Sequence, residues 1–127
     1  MASQLRPGVD LDDKTVKDLI EDCLSIFPDC TQLGHIEIQL FMSNMMESLR
    51  LWAERTEESA AASGSVEKVL ESRPNALYKI KFALFMIFNN LNWYKTNASE
   101  DEDTARCLKD IKRIIEGLDM VGRAIIQ

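Results

Sequence analysis

The chain has 127 residues, of which 46% are hydrophobic and 28% charged, so its composition excludes an intrinsically disordered segment and predicts one folded domain. Its net charge of −6 and pI near 4.8 argue against nucleic acid and anionic membranes as partners, because their phosphates carry the same sign. The longest apolar run, from Phe82 to Phe88, is too short to cross a bilayer, which takes about 20 residues.

Cysteine usage sets the expected compartment. The 3 cysteines, Cys23, Cys30 and Cys107, form no CxxC pair and have no histidine at a metal-ligand spacing. This odd number predicts reduced, mostly buried thiols rather than a disulfide framework or a zinc site. The first residues also lack the apolar stretch of a secretory signal. We therefore expect a cytoplasmic or nuclear protein that binds no metal and no cofactor.

The first helix is expected to follow a flexible lead-in. Residues 1–11 show no hydrophobic periodicity, so the folded domain should cover residues 12–127, either as a complete protein or as a piece of a longer one. Hydrophobic residues recur at helical spacing after Thr15, which resembles the cap of a helix with Asp18 three residues on. Pro28 is expected to end this helix.

Two further helices are predicted between residues 38 and 70. From Ile38 an apolar stripe continues past Trp52, and good helix formers extend the second helix to Ala62, before the Ser-Gly-Ser at residues 63–65. Ser65 is then expected to cap a short third helix that ends at Leu70.

The fourth helix, expected over residues 76–91, is apolar almost all round, which indicates that neighbours or a partner bury it on every side. A fifth helix is expected after Ser99, with the acidic run 100–103 in its first turn and Gly117 and Gly122 loosening its end. The predicted fold is all-α, with about five helices in a compact bundle or degenerate helical-repeat arrangement around the central apolar helix.

Catalytic chemistry has little support in the sequence. The single histidine, His35, stands near no recognisable nucleophile motif, and no phosphate-binding loop or metalloprotease motif occurs. The acidic run at residues 99–103 lacks the spacing and glycine of a calcium loop and is interpreted as a helix start. We therefore predict that the chain is not an enzyme, and an enzyme with dispersed acidic residues is the weakest of three hypotheses.

Aromatic residues are the candidates for contacts with a partner, because they dominate the energetics of protein interfaces. Trp93 and Tyr94 follow the asparagine-rich end of the central helix and either anchor a partner or fold back over that helix. The candidate partner-binding residues are Trp52, Phe85, Phe88, Trp93 and Tyr94.

The central helix also carries a family resemblance. The run Arg73-Pro74-Asn75-Ala76-Leu77, followed by Lys79-Ile80-Lys81 and by Leu84 to Asn92, resembles a helix in the N-terminal helical-repeat region of PCI-domain scaffold subunits. The family of the m subunit of eukaryotic translation initiation factor three is the closest in kind. The resemblance covers about twenty residues at positions 73–92, and it implies a non-catalytic subunit that holds a complex together.

These observations lead to two hypotheses that involve protein partners. The first is an interaction or scaffold module, acting in a multi-subunit complex or as a homo-oligomer, without nucleic acid or membrane. The alternative is a small regulatory or viral helical protein that binds a partner helix in an apolar groove, as apoptosis regulators of Bcl type do. The Asn-Trp-Gly-Arg signature of those regulators is absent from this sequence.

Overall fold

The computed structural model describes residues 11, 13–31, 36–63, 70, 73–97 and 102–126, and within these ranges the chain is helical with no strand. Its four long helices are α1 (Val16–Thr31), α2 (Ile36–Ser63), α3 (Pro74–Asn97) and α4 (Glu102–Ile126). The all-α prediction is confirmed. The short helix expected over residues 65–70 lies outside the described residues except for Leu70, which is helical and buried.

Helix α1 packs against α2 and α3, and α4 also packs against α2 and α3. The Cys23 and Cys30 thiols meet the backbone carbonyls of Leu84 and Leu91, so α1 and α3 run in the same direction. Ala76 shares a depression with Val121, while Asn90 accepts a hydrogen bond from Cys107, so α3 and α4 run in opposite directions.

Helices α2 and α4 also run in the same direction. Phe41 lies beside Lys112 and Glu116, whereas Trp52, further along α2, touches Gly122, further along α4. The four helices therefore form two hairpins, α1–α2 and α3–α4, stacked side by side in the same sense. The first helices of the two hairpins are neighbours, and so are the second helices.

The core lies between the two hairpins and takes side chains from every helix, with Val16, Met42, Leu84 and Ile111 all completely buried. Leu11, expected in the flexible lead-in, is also buried, and its carbonyl accepts a hydrogen bond of 3.0 Å from Lys81 Nζ. The packed part of the domain therefore includes residue 11. Residues 1–10 lie outside the described residues.

The start of α1 is the reciprocal cap that its sequence predicts. The Asp18 backbone N–H donates to Thr15 Oγ1 at 3.0 Å, and the Thr15 N–H donates to an Asp18 carboxylate oxygen at 3.2 Å. The Thr15 backbone and hydroxyl bonds lower the pKa of Asp18, because they favour its ionised form. Ser99, predicted to cap α4, lies outside the described residues.

Two predicted helix ends are wrong. Pro28 does not end α1, which continues to Thr31, because a proline this close to a helix end removes only one late hydrogen bond while buried Cys30 anchors the last turn. Helix α3 continues beyond the predicted end at Leu91. The Thr96 hydroxyl and the Asn97 amide donate to carbonyls four residues back, at 3.0 Å each, and so support the final turn.

The described helices do not bury α3 on every side, so of the two predicted ways to cover it, neighbours within the domain account for only part. One stripe of α3 is buried, and it comprises Ile80, Lys81, Leu84, Ile87, Leu91 and Tyr94. Tyr78 and Phe82, on another side of the helix, are 46% and 38% exposed. Among the described helices, the close neighbours of α3 are α1 and α4, so part of its apolar surface faces outward.

Candidate functional site

The described surface contains an apolar depression between α3 and α4, with a volume of about 520 Å³. We call it the α3–α4 groove, and it lies on the side of the second hairpin that faces away from α1 and α2. Its lining residues are Ala76, Lys79, Ile80, Ala83, Ile114, Gly117, Leu118 and Val121.

An aromatic row borders the groove on α3. A second depression shares Lys79, Ala83 and Ile114 with the groove and adds Tyr78, Phe82 and Met86. The Tyr78 and Phe82 rings stack with their centroids 6.1 Å apart and their planes 17° apart. Because these side chains are four residues apart, they project from one face of the helix and form a continuous apolar ridge.

Small residues keep the groove open. Ala76 and Ala83 line its α3 side, and Gly117 lines its α4 side. A Cβ atom built at Gly117 would meet no atom within 4 Å, so the space above this residue belongs to the groove and not to the core. Close backbone approach is possible at such residues, and helices pack at axial distances of about 8–10 Å only where the contacting side chains allow it.

The rim of the groove is more basic than the protein as a whole. Helix α3 contains no aspartate or glutamate, and Lys79 lines the groove. On α4, Lys109 and Arg113 precede Gly117 at intervals of four residues, which places them toward the outer side of the helix, although neither lines the groove. Arg113 is well exposed and lies 3.9 Å from a carboxylate oxygen of Asp110, which partly offsets its charge.

Two of the five predicted partner-binding residues are not available at the surface. Trp52 packs in the core against Gly122, and Tyr94 is completely buried between the neighbours of α3. A partner could reach either side chain only by opening the domain. Both rings are part of the hydrophobic core, where large aromatic side chains bury the most apolar surface.

The other three predicted residues lie on α3 with different exposure. Phe85 and Phe88 are half-buried against the core, whereas Trp93 is 37% exposed. Trp93 follows Met86 by two helical turns, so it lies on the same face of α3, separated from the aromatic row by Asn89 and Asn90. Trp93 lines neither of the two depressions, so none of the five predicted residues lines the groove.

Sequence reasoning missed Tyr78, Phe82 and Val121. The recurrence of Tyr78, Phe82 and Met86 every four residues could have identified an exposed face. Hydrophobic periodicity does not distinguish this exposed face, because the buried stripe on the opposite side of α3 is equally apolar. Periodicity finds a buried stripe only when the other face is polar.

The three thiols are structural. Cys23, Cys30 and Cys107 each donate a weak hydrogen bond to a backbone carbonyl of α3, at 3.3–3.4 Å. Burial, reinforced by nearby aspartates, raises the pKa of Cys23 to about 12 and the pKa of Cys30 and Cys107 to about 11. A thiol with a raised pKa is a poor nucleophile at neutral pH, because only the thiolate attacks.

We expect all three cysteines to resist a disulfide reagent such as DTNB at pH 8 in the native protein and to react fully in denaturant. Their folded pKa values lie above the ordinary 9.0, so the neutral thiols stabilise the fold below pH 9. That contribution should disappear as the pH rises toward 11–12. Denaturant titrations at a series of alkaline pH values measure this loss of stability. Rapid DTNB labelling of the native protein would contradict the assignment of the three thiols to the core.

Tyr94 carries a buried polar atom that finds no partner among the described residues. Its hydroxyl is buried, and no hydrogen bond to it is present among the described residues. We expect Tyr94→Phe to leave stability unchanged or raise it by up to about 1 kcal/mol, because it removes an unsatisfied group while keeping the ring. Urea denaturation measures the change. A loss of more than about 1 kcal/mol would show that the hydroxyl is bonded in solution.

Other site chemistries find no support in the described part of the chain. No three His, Cys, Asp or Glu side chains converge there in a way that could hold a metal ion. None of the described helices combines the length and the hydropathy that a bilayer-spanning segment needs. His35 and the acidic run up to residue 101 lie outside the described residues.

In comparisons with known proteins, no family model, curated protein or solved structure matches this chain. The helix arrangement and the α3–α4 groove are therefore the features that bear on its function.

Proposed function

We propose that this chain is a non-catalytic helical module that binds other proteins through the α3–α4 groove, as a scaffold or complex subunit. The observation that carries the proposal is the groove itself, which combines an open volume of about 520 Å³ with exposed aromatic residues. Burying neighbouring exposed apolar side chains against another surface is favourable, because it removes apolar surface from water.

The order of the helices supports the scaffold role. Two hairpins stacked in the same sense, with first helices together and second helices together, are the unit that helical-repeat proteins extend. In such an array the next hairpin would cover the outer side of α3–α4, where the groove lies. The resemblance of residues 73–92 to PCI-domain scaffold subunits points to the same class, with a multi-subunit complex as its setting.

The alternative is a regulatory protein that captures one helix of its partner in the groove. The row from Tyr78 to Met86 favours it, because an apolar strip about 12 Å long matches about two turns of a partner helix. Both functions use the same surface and differ in what covers it: a repeat-like hairpin of a stable subunit, or a single exchangeable helix.

The variant Gly117→Leu tests the proposal, because it fills the groove from a position whose Cβ meets nothing. Ser43→Leu is the matched control, since it adds the same side chain at an exposed position of α2 outside the groove. The tagged 127-residue chain and both variants would be used for quantitative affinity purification from cell extract, after circular dichroism has shown equal folding.

We expect at least one protein to co-purify in stoichiometric amount with the wild type and with Ser43→Leu and to be lost with Gly117→Leu. Retention of every co-purifying protein by Gly117→Leu would contradict a binding role for the groove. Equal losses from both leucine variants would contradict it as well, because the effect would then be unrelated to the groove.

A further inference from the structure

The shape of the α3–α4 groove restricts what can occupy it. Its floor is formed by the buried residues Ile80 and Leu118, and the small residues Ala76, Ala83 and Gly117 line its sides and admit a backbone closely. A helix laid between α3 and α4 would place its own apolar ridge on this floor. An extended strand would find no sheet edge to pair with, because the described residues contain no strand.

The charges around the groove restrict the occupant further. Lys79 is the one charged residue among those that line the groove, and Lys109 and Arg113 stand eight and four residues before Gly117 on α4, although the whole chain carries a net charge of −6. Asp110 lies 3.9 Å from Arg113 and offsets the charge of that arginine, so Lys79 and Lys109 carry the positive charge that remains. Charge complementarity at the rim of an interface governs specificity and association rate more than affinity. A positive border therefore favours a partner that carries acidic residues beside its apolar face.

We propose that the groove binds an amphipathic helix whose apolar face is flanked by acidic residues, an inference that rests on the binding role proposed above. The leucine- or isoleucine-type face of such a helix fills the floor beside Gly117, while its carboxylates pair with Lys79 and Lys109. A second copy of this chain is a poorer occupant, because symmetric docking of two grooves would bring the same cations together.

The probes are two synthetic helical peptides with the same leucine face, one flanked by glutamate and the other by lysine. Their binding to the full chain would be measured by fluorescence anisotropy at low and at high salt. We expect the acidic peptide to bind roughly tenfold more tightly at low salt, with the preference shrinking as salt screens the exposed pairs. Gly117→Leu should abolish binding of both peptides.

Charge reversal on the rim sharpens the test. The double variant Lys79→Glu with Lys109→Glu should reverse the preference in favour of the basic peptide. Lys112→Glu is the matched control, since Lys112 is exposed on the neighbouring face of α4 beside α2. Lys112→Glu should change the ratio of the two peptide affinities by no more than about twofold, because salt screens a charge that lies outside the groove.

Equal affinity for the two peptides, or no binding of either, would overturn the acidic-helix inference. A wild-type dimer that Gly117→Leu dissociates would also overturn it, because a second copy would then occupy the groove. If the peptides fail but Gly117→Leu still loses a cellular partner, the acidic-helix inference is wrong and the binding role stands. If Gly117→Leu loses no partner, the binding role itself is wrong.

Discussion

Replacing Leu84 by alanine should lower the free energy of unfolding by about 2–5 kcal/mol, the range for deleting a large aliphatic side chain from a tight core. Leu84 is completely buried at the centre of α3, and its carbonyl accepts the hydrogen bond from Cys23. The loss combines the transfer free energy of the side chain with the cavity left between α1 and α3. Since small domains are stable by about 5–15 kcal/mol, urea denaturation should show a large shift of the midpoint.

Phe82→Ala is the internal control for this prediction. Phe82 is larger than Leu84 and lies close to it in the chain, but it is 38% exposed at the border of the groove. We expect its truncation to cost about 1–2 kcal/mol, less than that of Leu84, because more than a third of its surface is already hydrated in the free protein. Equal losses from the two variants would contradict the assignment of one buried and one open face to α3.

Gly122→Ala should destabilise the protein by about 1–2 kcal/mol, although alanine is the better helix former. A Cβ atom at this position would overlap Nε1 of the Trp52 indole and lie 2.7 Å from its Cε2 atom. The ring is buried and has little room to retreat, so the contact between α2 and α4 must open. Thermal denaturation at fixed protein concentration measures the effect.

The same substitution about one and a half turns earlier should have the opposite sign. Gly117→Ala adds a Cβ atom that meets nothing, so we expect it to raise stability by about 0.5–1 kcal/mol through helix propensity alone. A pair of identical substitutions in one helix with opposite effects is difficult to obtain from any other arrangement. Matching signs for the two variants would mean that α4 is rotated about its axis, so that Gly122 does not face Trp52.

The four long helices could be predicted from local signals. The reciprocal cap at Thr15 and Asp18, the stripe from Ile38 to Trp52 and the apolar run after Pro74 are each encoded within a few residues. Helix ends were less predictable. The extension of α1 past Pro28 depends on the contact of Cys30 with α3, and a contact between distant residues leaves no local signature.

The position of the groove could not be predicted in the same way. An apolar residue on α3 is core or surface according to which helices lie beside it, and the sequence does not state that α1 and α4 are those neighbours. The sequence therefore favours Trp52 and Tyr94 as candidate interface residues although both are buried, and it does not single out the exposed Tyr78 and Phe82. Gly122 illustrates the same limit, because its role depends on a tryptophan far away in the chain.

The most direct test of the groove as the binding surface is photo-crosslinking in cells from a single site. Benzoylphenylalanine would replace Phe82 at the border of the groove, or Ser43 on the exposed face of α2 as the control. We expect a defined crosslinked protein of another sequence from the Phe82 site, absent from the Ser43 site and lost when Gly117→Leu is added. A partner crosslinked from Ser43 but not from Phe82 would contradict the groove as the binding surface.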